Sequence, residues 1–133
     1  MSRSQLIDRG FTRILLPGLV LLLGCGSPGN TATLGPQAFQ QAITPQAQLI
    51  DVRTPAEFAE GHLVGARNLD WTGGALETAM PGLDKGAPVL LYCASGRRSA
   101  AAREAMQVAG FSDAKDLEGG IRAWSGAGLP VER

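Results

Sequence analysis

Two side chains in this sequence are thiols, and they stand in unlike settings: Cys25 closes an apolar N-terminal run, and Cys93 follows Val89-Leu90-Leu91-Tyr92 directly. Behind Cys93 come Ala94-Ser95-Gly96-Arg97-Arg98, and then a segment, Ser99 to Ala109, with Ala102, Ala105, Met106 and Ala109 at helical spacing and Gly110 placed to end it. Cys93 therefore sits at a strand-to-helix turn. In an open α/β sheet ligands bind at the carboxyl ends of strands, and a helix N-terminus offers unpaired N–H groups and partial positive charge. Gly96 permits a tight path, so the N–H groups of Ala94 to Ser99 can turn inward around the sulfur as an anion-binding nest. Such a nest favours thiolate over thiol and lowers the pKa from about 8.5. Arg97 and Arg98 add positive charge beside the same loop. The chemistry this predicts is nucleophilic attack by a sulfur anion. The bland alternative, an inert buried cysteine at a strand end, does not account for the order strand, Cys, Gly, paired Arg, helix.

The elements that must position this turn are legible as short runs. Gln48 to Val52 (QLIDV) and Val89 to Tyr92 (VLLY) read as buried parallel strands, and Ala66 to Leu69 and Ala114 to Leu117 as weaker strands. Pro36 to Ile43 predicts a short helix, with Phe39 and Ile43 four apart and Pro36 suited to its first turn. Strands alternating with helices imply an α/β layer fold. There is no internal repeat.

The N-terminus reads as an address. Arg3, Arg9 and Arg13 precede an apolar stretch from Ile14 to Leu23 that is interrupted by Pro17 and Gly18. That run is short of the roughly 20 apolar residues a permanent membrane helix needs, so residues 1–24 are expected to be a signal peptide. Leu22-Leu23-Gly24-Cys25 resembles a bacterial lipobox, which implies lipidation of Cys25 as the first mature residue, export, and anchoring by lipid to the periplasmic face of the cell envelope. Residues 25–36, rich in Gly, Ser, Pro, Asn and Thr, are expected to be a flexible tether.

Composition narrows the function classes. A chain of 133 residues has room for one domain after such a leader, and 44% apolar against 18% charged residues makes global disorder implausible. Twelve basic and twelve acidic residues balance; removal of residues 1–24 takes Arg3, Arg9, Arg13 and Asp8, leaving nine basic against eleven acidic. A mildly acidic domain of that kind is not a nonspecific nucleic-acid binder. Two cysteines and the single His62 cannot build a four-ligand structural zinc site, and no metal or organic cofactor is expected. Exported thiols tend to be oxidised, yet Cys93 has no internal partner once Cys25 is lipidated, which argues that the thiol is used.

Three ordered motifs resemble the rhodanese family of sulfurtransferases across residues 34–133. The first is Leu49-Ile50-Asp51-Val52-Arg53 with Glu57-Phe58, Gly61-His62 and Gly65-Ala66-Arg67-Asn68; the second is Tyr92-Cys93-Ala94-Ser95-Gly96-Arg97-Arg98-Ser99. The third is Leu117-Glu118-Gly119-Gly120 with Ala123-Trp124 and Gly128-Leu129-Pro130. The resemblance implies a five-stranded parallel sheet flanked by helices. It also implies Cys93 as the nucleophile that carries sulfane sulfur as a persulfide, Ala94 to Arg98 as anion cradle, and Arg98 as the loop's closing cation. Its partners would be a small-molecule donor, thiosulfate or a polysulfide, and a cyanide or thiol acceptor. A sulfane-sulfur carrier or redox partner docking to a membrane complex is the alternative. Many family members have Arg directly after the cysteine where this chain has Ala94, a departure that bears on the substrate rather than on the reaction type. Phosphatases and arsenate reductases similar to this family place five residues between Cys and Arg; Cys93 and Arg98 enclose four.

Other residues invite quieter readings. Asp51 and Arg53 are expected to form a supporting polar network near the loop, and His62 to belong to a structural turn. Glu118 could face the pocket. Phe39, Trp124 and Met106 are expected in the core.

Overall fold

The computed structural model describes residues 32–133. The chain runs through β1 (Thr33–Leu34), α1 (Pro36–Ala42), β2 (Gln48–Asp51), α2 (Pro55–Glu60), β3 (His62–Leu63), β4 (Arg67–Asn68), α3 (Ala75–Ala79) and a 3-10 turn (Met80–Gly82). It continues through β5 (Val89–Tyr92), α4 (Arg97–Val108), β6 (Ala114–Leu117), α5 (Gly120–Gly126) and β7 (Val131–Glu132). Five strands pair in parallel in the order β1-β6-β5-β2-β4, and β3 pairs antiparallel with β7 as a separate ribbon. This is the expected α/β layer fold.

The position of β5 explains its composition. As the middle strand it has no wet face, and all four of its residues are buried. Alternation then sorts the chain between two layers. Leu91 and Cys93 share one face with Ile50, Val52, Leu76, Ala102 and Met106, against α3 and α4; Leu90 and Tyr92 share the other with Phe39, Leu63 and Trp124, against α1 and α5. Each fully buried Leu, Val, Phe or Met contributes roughly 1.5–3 kcal/mol of transfer free energy. Phe39 and Trp124 meet edge to face at 6.3 Å, and Met106 is buried, as expected of core residues.

Most expected boundaries lie within one residue of those observed, and two segments differ further. The helix predicted from Ser99 begins at Arg97, because Gly96, at φ +104°, is its N-cap and turns the chain straight into the first helical residue. Thr33 and Leu34, inside the segment read as tether, form β1 and pair with Asp116 and Leu117. The Thr33 hydroxyl donates to Asp116 Oδ1 at 2.9 Å, and the Asp116 N–H donates to the Ala32 carbonyl at 2.8 Å. A two-residue edge strand has no periodicity to read, so only its partner reveals it. The expected signal peptide at residues 1–24 and the expected lipidation at Cys25 lie outside the described residues.

Candidate active site

The loop around Cys93 is held open by hydrogen bonds that sort its peptide groups. The carbonyls of Cys93 and Ala94 point toward the start of α5, where they accept from the N–H groups of Ile121 at 2.8 Å and Arg122 at 3.2 Å. With these carbonyls turned outward, the following N–H groups are free to face the sulfur. The Gly96 N–H donates to Cys93 Sγ at 3.0 Å. This arrangement requires Gly120, at φ +61°: a Cβ there would stand 2.4 Å from the Cys93 carbonyl oxygen and 2.5 Å from the Ala94 carbonyl carbon.

Ser99 completes the setting of the thiol. It is buried in the first turns of α4 with its hydroxyl 3.4 Å from Cys93 Sγ and 3.3 Å from the Gly96 carbonyl. One hydroxyl proton serves two acceptors. With a neutral thiol it can go to the Gly96 carbonyl while the S–H points to Ser99 Oγ; with a thiolate it turns to the sulfur. Burial pushes the Cys93 thiol up, and the Ser99 hydroxyl with the N–H groups of Ser99, Gly96 and Ser95 outweighs it, leaving the pKa below the ordinary thiol value. The thiolate is therefore favoured by directed hydrogen bonds and the N-terminal end of a twelve-residue helix.

The two arginines of the loop divide. Arg97 is exposed and makes no ion pair among the described residues. Arg98 reaches α2, where Nη1 and Nη2 donate to Glu57 Oε1 and Oε2 at 2.7 and 2.9 Å. The Arg98 guanidinium holds the Glu57 carboxyl down to about 2. Glu57 is itself fixed by a capping box, its N–H donating to Thr54 Oγ1 at 3.2 Å and its carboxylate accepting from the Thr54 N–H at 3.4 Å. Arg98 thus ties the Cys93 loop to α2, and a bidentate carboxylate offsets the charge expected to close the loop.

Asp51 and Arg53 form the expected network, but not with the sulfur. Asp51 Oδ2 accepts from Arg53 Nη2 at 2.7 Å, Arg53 Nη2 also reaches the Gly61 carbonyl at 2.6 Å, and Asn68 Nδ2 donates to the Arg53 carbonyl at 2.8 Å. Burial opposes the charge on Arg53, and the Asp51 carboxylate more than restores it. Asp51 pairs in register with Tyr92, whose phenol lies on the face away from the Cys93 side chain and is pushed above its ordinary pKa by burial and by Asp51. Tyr92 in turn accepts from the Leu63 N–H at 3.0 Å, so the network locks the ends of β2, β4 and β5 from behind. His62 stacks on Phe58 at 3.7 Å and its Nδ1 contacts the Phe58 carbonyl at 3.0 Å, a structural role. Glu118 is exposed, and its backbone N–H donates to the Leu34 carbonyl. Glu57, Ser99 and Gly120 stood in the motifs of the sequence without an assigned role. The signals were Thr54-Pro55-Ala56-Glu57, a capping box, and Ser99 at the end of the loop motif.

A parallel α/β sheet with a thiol in an N–H-lined loop beyond its central strand matches the Rhodanese-like domain over residues 35–127, and the chain belongs to that family. It is 35% identical over 91 residues to the thiosulfate sulfurtransferase GlpE of Pseudomonas aeruginosa, covering 68% of this chain and 81% of that protein. It is 38% identical over 81 residues to the uncharacterized protein YqhL of Bacillus subtilis, covering 61% of this chain and 63%, less than two thirds, of YqhL. Among solved structures, a rhodanese-related protein from Thermoplasma volcanium superposes with a TM-score of 0.68 at 29% identity, covering 75% of this chain and 96% of that one.

Proposed function

We propose that this chain is a sulfurtransferase that moves sulfane sulfur from a donor, thiosulfate or a polysulfide, to a cyanide or thiol acceptor through a persulfide on Cys93. The observation that carries this reading is the Cys93 sulfur, which receives the Gly96 N–H at 3.0 Å in a loop whose carbonyls are turned away. The thiolate attacks the outer sulfur of the donor, a new S–S bond forms to Sγ, and the donor's own bond breaks with its electrons on the leaving group. The N–H groups that held the thiolate then hold the persulfide anion, as an oxyanion hole holds developing charge. The acceptor attacks the outer sulfur and regenerates the thiolate. Relatives named as sulfurtransferases support the class.

Steady-state transfer to cyanide by purified protein tests the reading. Turnover that disappears in Cys93→Ser supports it, because a serine hydroxyl is hardly ionised near neutral pH. Stoichiometric loading without turnover would favour the carrier reading, and undiminished turnover in Cys93→Ser would overturn the role of Cys93.

We also propose that the protein is exported and held at the cell envelope through a lipidated Cys25, a reading supported by Leu22-Leu23-Gly24-Cys25 after an apolar run. Two or more acyl chains, each buried methylene contributing about 0.8 kcal/mol, anchor stably. Cys25→Ser should move the protein from membranes to the soluble exported fraction; a variant that still pellets with membranes contradicts the lipid anchor.

A further inference from the structure

Charge is distributed unevenly over the two layers of this molecule. The sequence holds no Asp, Glu, Lys or Arg between Arg13 and Asp51. The exposed side chains of α1 are therefore Gln37, Ala38, Gln40 and Gln41, followed by Thr44, Pro45 and Gln46 in the turn to β2. On the other layer α4 carries Arg97, Arg98, Arg103 and Glu104. Beside α1 runs a groove of about 250 Å³ lined by Gln40, Ile43, Leu63, Val64, Trp124 and Pro130, none of them charged. Val64, 54% exposed, and Val131, 46% exposed and next to Pro130, put two of the three exposed large apolar side chains among the described residues at this groove. The charges of the neighbouring ribbon are engaged elsewhere. Glu132 meets His62 Nε2 at 3.3 Å and the Gly65 N–H at 3.1 Å, and Arg133 donates to the Glu60 carbonyl at 3.0 Å, while Arg122 stands exposed on α5. The groove between α3 and α4, lined by Trp71, Met80 and Val108, includes the carboxylate of Glu77. An uncharged face gives up water at little cost, whereas a buried charge is expensive.

The way the chain enters the fold selects what covers this face. β1 runs parallel to β6, so the chain comes in at the amino edge of the sheet; α1 then returns from the carboxyl edge and delivers Ile43 back to the amino edge, where β2 starts. About seven residues separate Cys25 from Ala32, a reach of at most about 25 Å, less than the roughly 30 Å across a small domain. A domain tethered that closely keeps one side against the surface that holds it, and α1 is the first helix the tether leads into.

We propose that the uncharged face of α1, with Val64 and Val131 at its rim, rests on the lipid surface of the envelope, and that Cys93 opens away from the bilayer toward water-soluble partners. This rests on the lipidated Cys25 of the reading above. Ile43, Val64, Pro130 and Val131 enter the headgroup boundary, and the glutamines of α1 exchange hydrogen bonds with headgroups and water. Cys93 packs in the other layer with Ala102 and Met106, and its loop lies at the carboxyl edge, so donor and acceptor reach the sulfur from the aqueous side.

The two tryptophans report the two layers, because Trp124 lines the groove and Trp71 packs on the layer of Cys93. The test places the lipidated chain, isolated from bacterial membranes, in phosphatidylethanolamine and phosphatidylglycerol vesicles with brominated acyl chains, and reads quenching in Trp71→Phe and in Trp124→Phe. Trp124 is expected to be quenched about threefold more than Trp71, as a face seated in the headgroup boundary requires. Val64→Asp together with Val131→Asp, made in Trp71→Phe, should cut the quenching of Trp124 by about half or more while the protein still floats with the vesicles. That comparison stands even if Trp124→Phe folds poorly. Floating protein in which both tryptophans are quenched alike, or in which the aspartates change nothing, would overturn the docked face and leave the anchor intact. Crosslinks between copies through this face, with Trp124 unquenched, would assign it to a second copy and overturn the lipid contact. Protein that does not float has no lipid anchor, and the docked face falls with it.

Discussion

Arg98 and Glu57, 41 residues apart in sequence, meet as a bidentate pair at 2.7 and 2.9 Å and join the first turn of α4 to the first turn of α2. The carboxyl is held at about 2. The unfolded chain therefore takes up this proton first, near the ordinary glutamate value of about 4.3, and the native chain only at lower pH. The pair's stabilisation is complete above the ordinary carboxylate range and disappears as pH falls through about 2. Glu57→Gln should cost about 1 kcal/mol at neutral pH, the upper end for a partly exposed ion pair, and should flatten the pH dependence of stability between those limits. Thermal unfolding of both proteins across that window checks it; parallel curves would show that the pair contributes no pH-linked stability.

Ser99→Ala should shift the pH dependence of Cys93 alkylation to higher pH. The variant loses the hydroxyl that turns to the thiolate and leaves burial, which favours the thiol, less opposed. Rates of iodoacetamide modification against pH measure this directly. An unmoved profile would mean that the backbone N–H groups alone set the thiolate.

Gly120→Ala should damage both fold and loop. Its Cβ would meet the Cys93 and Ala94 carbonyls at 2.4–2.5 Å, and φ is +61°. Strain and displacement of this kind cost about 2 kcal/mol or more. Gly126→Ala, where a Cβ meets nothing within 4 Å, is the matched control. Denaturant midpoints that fall equally in the two variants would contradict the tight fit of α5 on the loop.

The size of the loop bears on sulfur against phosphate. Four residues separate Cys93 from Arg98, and the Gly96 N–H already lies 3.0 Å from Sγ, so the ring closes around a single sulfur. One glycine inserted after Gly96 should widen the ring, depress sulfur transfer and improve phosphate or arsenate binding, with little steric cost because glycine takes either sign of φ. Both activities and both anion affinities, measured on the two proteins, decide it. Phosphatase turnover by the native loop comparable to its sulfur transfer would contradict the argument.

What could be read in advance depended on whether the signal was local. Val89 to Tyr92 read as a strand because burial on both faces demands four apolar residues in a row, and Ala114 to Leu117 emerged with the same limits in the fold. Cys93 was legible because strand, thiol, glycine and helix are adjacent in sequence. Asp51 and Arg53 were legible as a pair two residues apart; alternation from Cys93 puts them on the other face, a step that requires the register with Tyr92. Arg98 read only as the loop's closing cation because its partner, Glu57, lies 41 residues away in sequence. β1 escaped because two residues at a sheet edge owe their conformation to β6 alone.

The central claim, a sulfur relay on Cys93, is tested most directly by the intact mass of the reduced protein after exposure to a sulfane-sulfur donor and then to cyanide. The account predicts a gain of one sulfur atom, located on Cys93, that cyanide removes and that Cys93→Ser never acquires. A protein that gains no sulfur from either thiosulfate or a polysulfide, or a Cys93→Ser variant that gains it as readily as wild type, would contradict the account.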